Sequence, residues 1–96
     1  MNLSPLSGLR AADLLLTATA DNTANVDTPG YRAEQVDLAT SPTGGVTASV
    51  SRADQPGVDL VEQLTNLSVA RAVYTANARV LRAGLENDRT LLDVLA

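Results

Sequence analysis

From Val58 to Leu95 the chain runs without a proline and with a single glycine, Gly84. Positions 60, 64, 67, 71, 74, 78, 81, 85, 88, 92 and 95 alternate steps of four and three, and they read Leu, Leu, Leu, Arg, Tyr, Ala, Leu, Leu, Asp, Leu, Leu. Nine of these eleven are apolar or Tyr, so the spacing predicts one long helix over 58–95 with a coiled-coil-like seam of Leu60, Leu64, Leu67, Tyr74, Ala78, Leu81, Leu85, Leu92 and Leu95. At about 1.5 Å per residue, the 36 residues from Leu60 to Leu95 that carry the seam extend roughly 54 Å.

The same segment carries a second stripe, Val69, Val73, Ala76, Val80, Ala83 and Val94. Val69 lies nine residues past Leu60, which at ~100° per residue puts it on the opposite face. A helix apolar on two faces needs two partners. One hairpin partner covers one face, and neighbouring subunits cover the other.

The first segment predicts a second helix over 4–27. Ser4 is a suitable N-cap, and Pro5 stands where its missing N–H costs nothing. Leu6, Leu9, Ala12, Leu16, Thr19, Thr23 and Val26 then recur at steps of three and four. Thr28-Pro29-Gly30-Tyr31 places Pro and Gly in the two middle positions of a type II turn. Residues 28–57 hold this turn and two short alternating runs, Gln35–Leu38 and Val46–Val50. Ser41-Pro42-Thr43-Gly44-Gly45 separates them, which reads as a β-hairpin, with a flexible linker as the alternative. The fold class that follows is mainly α: a single domain, 1–96, in which two antiparallel helices flank a small β-hairpin insert. The longer helix overhangs the shorter by about 20 Å at its C-terminal end.

Composition sharpens both the fold and the function. Fifteen Ala, fifteen Leu and ten Val, with no Ile, Phe or Trp, suit close helix packing. A chain this short buries a small share of its surface, and without Cys or His it has no disulfide or zinc to compensate, so self-association is the remaining route to stability. The isolated chain is expected to be loosely folded and to become ordered on assembly. Lacking His and Cys, it has no Ser-His-Asp or Cys-His site and no imidazole base. There is no Lys for a Schiff base or a phosphate loop. Seven Arg against eleven acids, for a net charge of −4, and only two aromatic residues disfavour nucleic acid. No catalytic residue, cofactor, metal, small-molecule substrate or membrane span is expected, and Met1–Arg10 lacks the pattern of a cleavable signal peptide.

The two ends together resemble the flagellar axial proteins, the basal-body rod and hook family. Ala20-Asp21-Asn22-Thr23-Ala24-Asn25-Val26-Asp27-Thr28-Pro29-Gly30-Tyr31-Arg32 is similar to the family signature A-N-N-I-A-N-V-N-T-P-G-Y-K. Val58-Asp59-Leu60-Val61-Glu62-Gln63-Leu64 is similar to V-D-L-x-E-E-M, and Tyr74-Thr75-Ala76-Asn77-Ala78 to Y-E-A-N-A; Thr90-Leu91-Leu92-Asp93 closes the match. These segments span about two thirds of the chain. The resemblance implies a structural subunit of the bacterial flagellar rod. Its terminal helices would pair and pack against other copies and other axial proteins, and it would be exported through the flagellar type III apparatus without signal cleavage. Two departures stand out. The β-rich insert shrinks to Ala33–Pro56, which favours a minimal rod-type subunit, and Thr23 replaces the usual Ile.

Within the motif, Asp21, Asn22, Asn25 and Asp27 lack the calcium-loop pattern and suit hydrogen bonds at a helix end. Tyr31 either anchors the hairpin on the helices or stands half-exposed. Asn77 either bonds between helices or is exposed. The departures from the family pattern leave a second function class open: an orphan rod-like paralogue acting as a soluble helical oligomerisation module or adaptor. Assembly form separates the two, open polymers from a rod subunit and a closed dimer or tetramer from an adaptor.

Overall fold

The computed structural model describes residues 4–95. The expectation of no leader at Met1–Arg10 falls in part on residues 1–3, outside the described residues. Helix α1 spans Ser4–Ala24, strand β1 Glu34–Thr40, strand β2 Val46–Arg52, and helix α2 Leu60–Leu95. The molecule is a slender body of 62 × 24 × 15 Å.

Local chemistry sets each boundary. α1 stops at Ala24, short of Asp27, because Asn25 takes over as a capping residue. Its Nδ2 donates to the Asp21 carbonyl at 2.8 Å, and its Oδ1 accepts from the Thr28 hydroxyl at 3.1 Å. The Asn25 N–H donates to the same Asp21 carbonyl at 3.1 Å, so the backbone and side-chain amides of Asn25 together close the helix end. The type II turn follows: Tyr31 N–H donates to the Thr28 carbonyl at 3.3 Å, and Gly30 takes the φ of +74° that this turn needs at its third position. α2 begins at Leu60 because Asp59 caps it, its Oδ1 accepting from the N–H groups of Val61 at 2.9 Å and Glu62 at 3.3 Å.

β1 and β2 pair antiparallel in the register Glu34↔Arg52, Val36↔Val50, Leu38↔Ala48. Val46 and Ala48 line a recess with Ala11 and Leu14 of α1, so the alternate residues Val36, Leu38 and Val50 share the face turned to that helix. Gln35, Asp37, Thr47 and Ser49 point the other way. At the far end of the hairpin the Ser7 hydroxyl accepts from Val46 N–H at 2.9 Å, and Gly45 passes so close that a Cβ there would collide with the Ser7 side chain.

The helices run antiparallel: Gly8 lies against Asn77 and Asn22 against Gln63, fourteen residues forward along α1 matching fourteen back along α2. α2 packs on α1 and on neither strand, so α1 is the middle layer, with the hairpin on one side and α2 on the other. The core accordingly lies on α1, in Ala11, Ala12, Leu15 and Ala18, joined from α2 by Ala70. Carried to Ser4, the same register reaches Leu81. Beyond it α2 continues for fourteen residues, roughly 21 Å, with no described element beside it.

Candidate assembly surface

The line of α2 that meets α1 is not a line of leucines. Gln63 and Ala70 are buried, and Asn66, Val73, Asn77 and Gly84 are half-buried, an alternation of threes and fours through small and polar residues. The buried residues of α1 are mostly small as well, Gly8, Ala11, Ala12 and Ala18 beside Leu15, whereas Leu6 and Leu16 are exposed. The physical reason is distance. Small residues let two helix backbones approach closely, and Gly8 is the extreme case: a Cβ there would overlap the Asn77 amide. Asn77 does not bond to α1; its Nδ2 donates to the Val73 carbonyl of its own helix at 2.8 Å.

α1 therefore covers neither apolar stripe as a whole, contrary to the expectation that the hairpin partner covers one: it takes Val73 from the valine stripe and leaves most of both stripes exposed. It sits between them. On one flank, Leu60, Leu64, Leu67, Tyr74, Leu85, Leu92 and Leu95 are exposed, from 42% at Leu67 to 82% at Leu95, while Ala78 and Leu81 are half-buried. On the other, Val69, Ala76, Val80, Ala83 and Val94 are exposed and Val73 is half-buried. Val61 and Leu91 add to the exposed apolar surface of α2. Exposed apolar surface of this extent makes α2 a candidate interaction surface.

Two cavities open along the crevice between the helices on the leucine flank. One, of about 300 Å³, is walled by Ala12, Asp13, Leu16, Leu67, Arg71 and Tyr74. The other, of about 290 Å³, is walled by Thr19, Thr23, Leu60, Gln63, Leu64 and Leu67. The α2 walls repeat at seven positions, 60, 64 and 67 becoming 67, 71 and 74. The Thr19 hydroxyl beside the second cavity is buried and has no hydrogen-bond partner among the described residues.

A polar joint holds the three layers together. Asn22 is 1% exposed. Its Nδ2 donates to the Glu34 carbonyl at 2.9 Å and to Gln63 Oε1 at 3.0 Å, and its Oδ1 accepts from Glu34 N–H at 2.7 Å and from the Tyr31 hydroxyl at 3.3 Å. One side chain thus ties α1 to β1, to the turn and to α2. Tyr31 is half-buried, and the Arg52 guanidinium stands 5.3 Å from its ring centroid while also donating to the Arg32 carbonyl and pairing with Glu34 at 3.4 Å. Gly57 N–H donates to the Tyr31 carbonyl at 2.9 Å, which closes the base of the insert.

Of the signature residues, Asn22, Asn25, Thr28, Gly30 and Tyr31 are brought together around this joint, with Pro29 in the turn; Asn77 lies far along α2 against Gly8. Sequence reasoning missed Gln63, Asp59 and Arg52. Asp59-Leu60-Val61-Glu62 carries the acid-x-x-Glu spacing of a helix start, a signal that could have found the cap. Chemically the surface offers apolar contact and hydrogen bonding. Among the described residues no group of three or more His, Cys, Asp or Glu is placed to hold a metal ion, and no helix is long and apolar enough to cross a membrane.

Comparison with known families matches both ends of the chain. Residues 52–94 match the family described as flagellar basal body rod FlgEFG protein C-terminal, and residues 5–32 match the family described as flagella basal body rod protein. No curated protein matches the chain.

Proposed function

Taking as premise that the chain belongs to the flagellar basal body rod family, we propose that it is a structural subunit of the rod that assembles through its two terminal helices. It works by packing rather than by catalysis. Its partners are further copies of itself and other flagellar axial proteins, and its place is the part of the basal body that spans the periplasm.

The observation that carries this reading is the state of α2. A 36-residue helix meets its own chain along one narrow line of small and polar residues, leaving leucines on one flank and valines on the other in water. At about 25 cal/mol per Å² of apolar surface removed from water, a side chain of this size contributes on the order of 1.5–3 kcal/mol when fully covered. Two flanks call for two neighbours, and a subunit with two different neighbours builds a lattice. The coiled-coil-like seam belongs in this picture as a contact between subunits.

Sedimentation velocity over a concentration series, with electron microscopy of the same samples, tests the reading. The expected result is open polymers that lengthen with concentration. A dimer or tetramer that stops growing would favour the adaptor reading, and a monomer at every concentration would overturn self-assembly.

A further inference from the structure

We infer that the C-terminal overhang of one copy docks in the helix crevice of the next, with Leu92 in the larger cavity and Leu85 in the smaller. This inference rests on the rod-subunit reading and names the contact that joins the copies. Three features of the chain support it.

The first is spacing. The two cavities have nearly equal volume, about 300 and 290 Å³, and their α2 walls are offset by seven residues. Leu85 and Leu92 are also seven residues apart, two helical turns or roughly 10.5 Å. A helix laid in the crevice therefore presents one leucine to each cavity in register. The second is that the occupant comes from outside the chain. Leu85 and Leu92 are exposed on one continuous helix that carries them away from residues 60–74 of the same α2, so the overhang does not reach its own crevice.

Charge is the third, and it fixes direction. Asp13 and Arg71 stand on the rim of the larger cavity. Arg89 and Asp93 flank Leu92 on the overhang, and none of these four makes an ion pair among the described residues. Arg82 and Glu86, which flank Leu85, already pair with each other at 3.3 Å. Seating Leu92 at the larger cavity brings Arg89 and Asp93, unpaired among the described residues, toward Asp13 and Arg71; seating Leu85 there brings Arg82 and Glu86 at the same offsets, a pair already engaged with each other. The docked helix then runs parallel to the α2 that receives it. Each copy uses its overhang on one neighbour and its crevice on the other, a head-to-tail contact that stays open at both ends.

The chain has no cysteine, so paired substitutions report the contact cleanly. In the full chain carrying Leu16→Cys and Leu92→Cys, the helix register puts the two positions roughly 35 Å apart, beyond the reach of an intrachain disulfide. Oxidation under assembling conditions should give a ladder of covalent dimers, trimers and larger species that collapses on reduction. Leu16→Cys with Leu85→Cys should give at least several-fold less. Polymers that form without the Leu16–Leu92 ladder would overturn the docking while leaving the rod-subunit reading intact. A ladder from the Leu85 pair alone would overturn the direction, and a single covalent dimer would overturn the head-to-tail arrangement. An unsubstituted chain that never assembles would overturn the reading underneath.

Charge exchange gives a second, independent readout at exposed positions that leave the fold alone, checked by unchanged helicity. Arg89→Glu and Asp13→Arg should each raise the concentration needed for assembly several-fold, and the combined variant should return it toward the starting value. A combined variant no better than the worse single one would refute the charge pairing.

Discussion

The side-chain amide of Asn22 takes both backbone groups of Glu34, accepting from its N–H at 2.7 Å and donating to its carbonyl at 2.9 Å. It does for β1 what an adjacent strand would do, from the flank of a helix. The same amide also holds Gln63. Asn22→Ala should lower stability by about 3 kcal/mol, because buried and half-buried donors and acceptors in β1, the turn and α2 lose their partner together, each at up to roughly 1–3 kcal/mol before relaxation. Thermal unfolding monitored by circular dichroism measures it, and a loss under 1 kcal/mol would show that the joint is dispensable.

Asn22→Asp adds a pH test with a definite sign. A carboxylate has no hydrogen to give to the Glu34 carbonyl or to Gln63 Oε1, so the native state favours the protonated acid and holds its pKa above the unfolded value of about 3.9. The neutral acid restores one donor below that unfolded pKa, and the benefit disappears as pH rises through the folded one. The stability gap between the variant and the parent should narrow as pH is lowered toward 4, read from paired melting curves. A gap independent of pH would place the new carboxyl in water.

Gly8→Ala should change sign with its neighbour. In the parent chain the added Cβ overlaps the Asn77 amide, and overpacking of this kind costs about 1–3 kcal/mol. With Asn77→Ala also present the overlap is relieved, and the better helix propensity of Ala should give a gain of about 0.5–1 kcal/mol. A double-mutant cycle in denaturant reads the coupling; additive effects would mean that the two helices are not held at this distance.

Gly30→Ala isolates backbone strain. A Cβ at Gly30 meets nothing within 4 Å, so only its φ of +74° opposes the substitution. The expected loss is about 1–2 kcal/mol, measured as a drop in midpoint with an unchanged denaturant slope. An unaffected midpoint would show that the turn relaxes freely.

Thr19→Val should stabilise. Its hydroxyl is buried and unpartnered among the described residues, while the methyl that replaces it has nearly the same shape. Removing the desolvated oxygen is worth about 1 kcal/mol. A destabilised variant would reveal a partner for that oxygen in solution.

The two helices and the Pro29-Gly30 turn were legible because each rests on short-range chemistry, a repeat of three and four or a glycine where φ must be positive. The contact line of α2 was not. Hydrophobic spacing tells which faces of a helix leave water, and it pointed to the leucines and valines; α1 instead took the strip of Gln63, Ala70 and Asn77, where small size permits close approach. Asn22 was read as a helix-end amide, yet its role depends on Glu34, twelve residues on, and Gln63, forty-one on, pairings that no local pattern encodes. Greasy flanks and a small-residue spine look alike in sequence when nothing says which of them meets its own chain.

Because the hairpin leans on α1 alone and never touches α2, its outer end is free to be rebuilt. The joint at Asn22, Tyr31 and Gly57 sits at the root of the insert, while the tip rests on α1 through the Ser7 hydroxyl. Threading extra sequence between Ser41 and Gly45 would forfeit about 1 kcal/mol at the tip and leave the root clamped. The helical frame is thereby a socket indifferent to cargo: evolution, or an engineer, could graft anything from five residues to a whole folded module there without renegotiating how the shafts lie together.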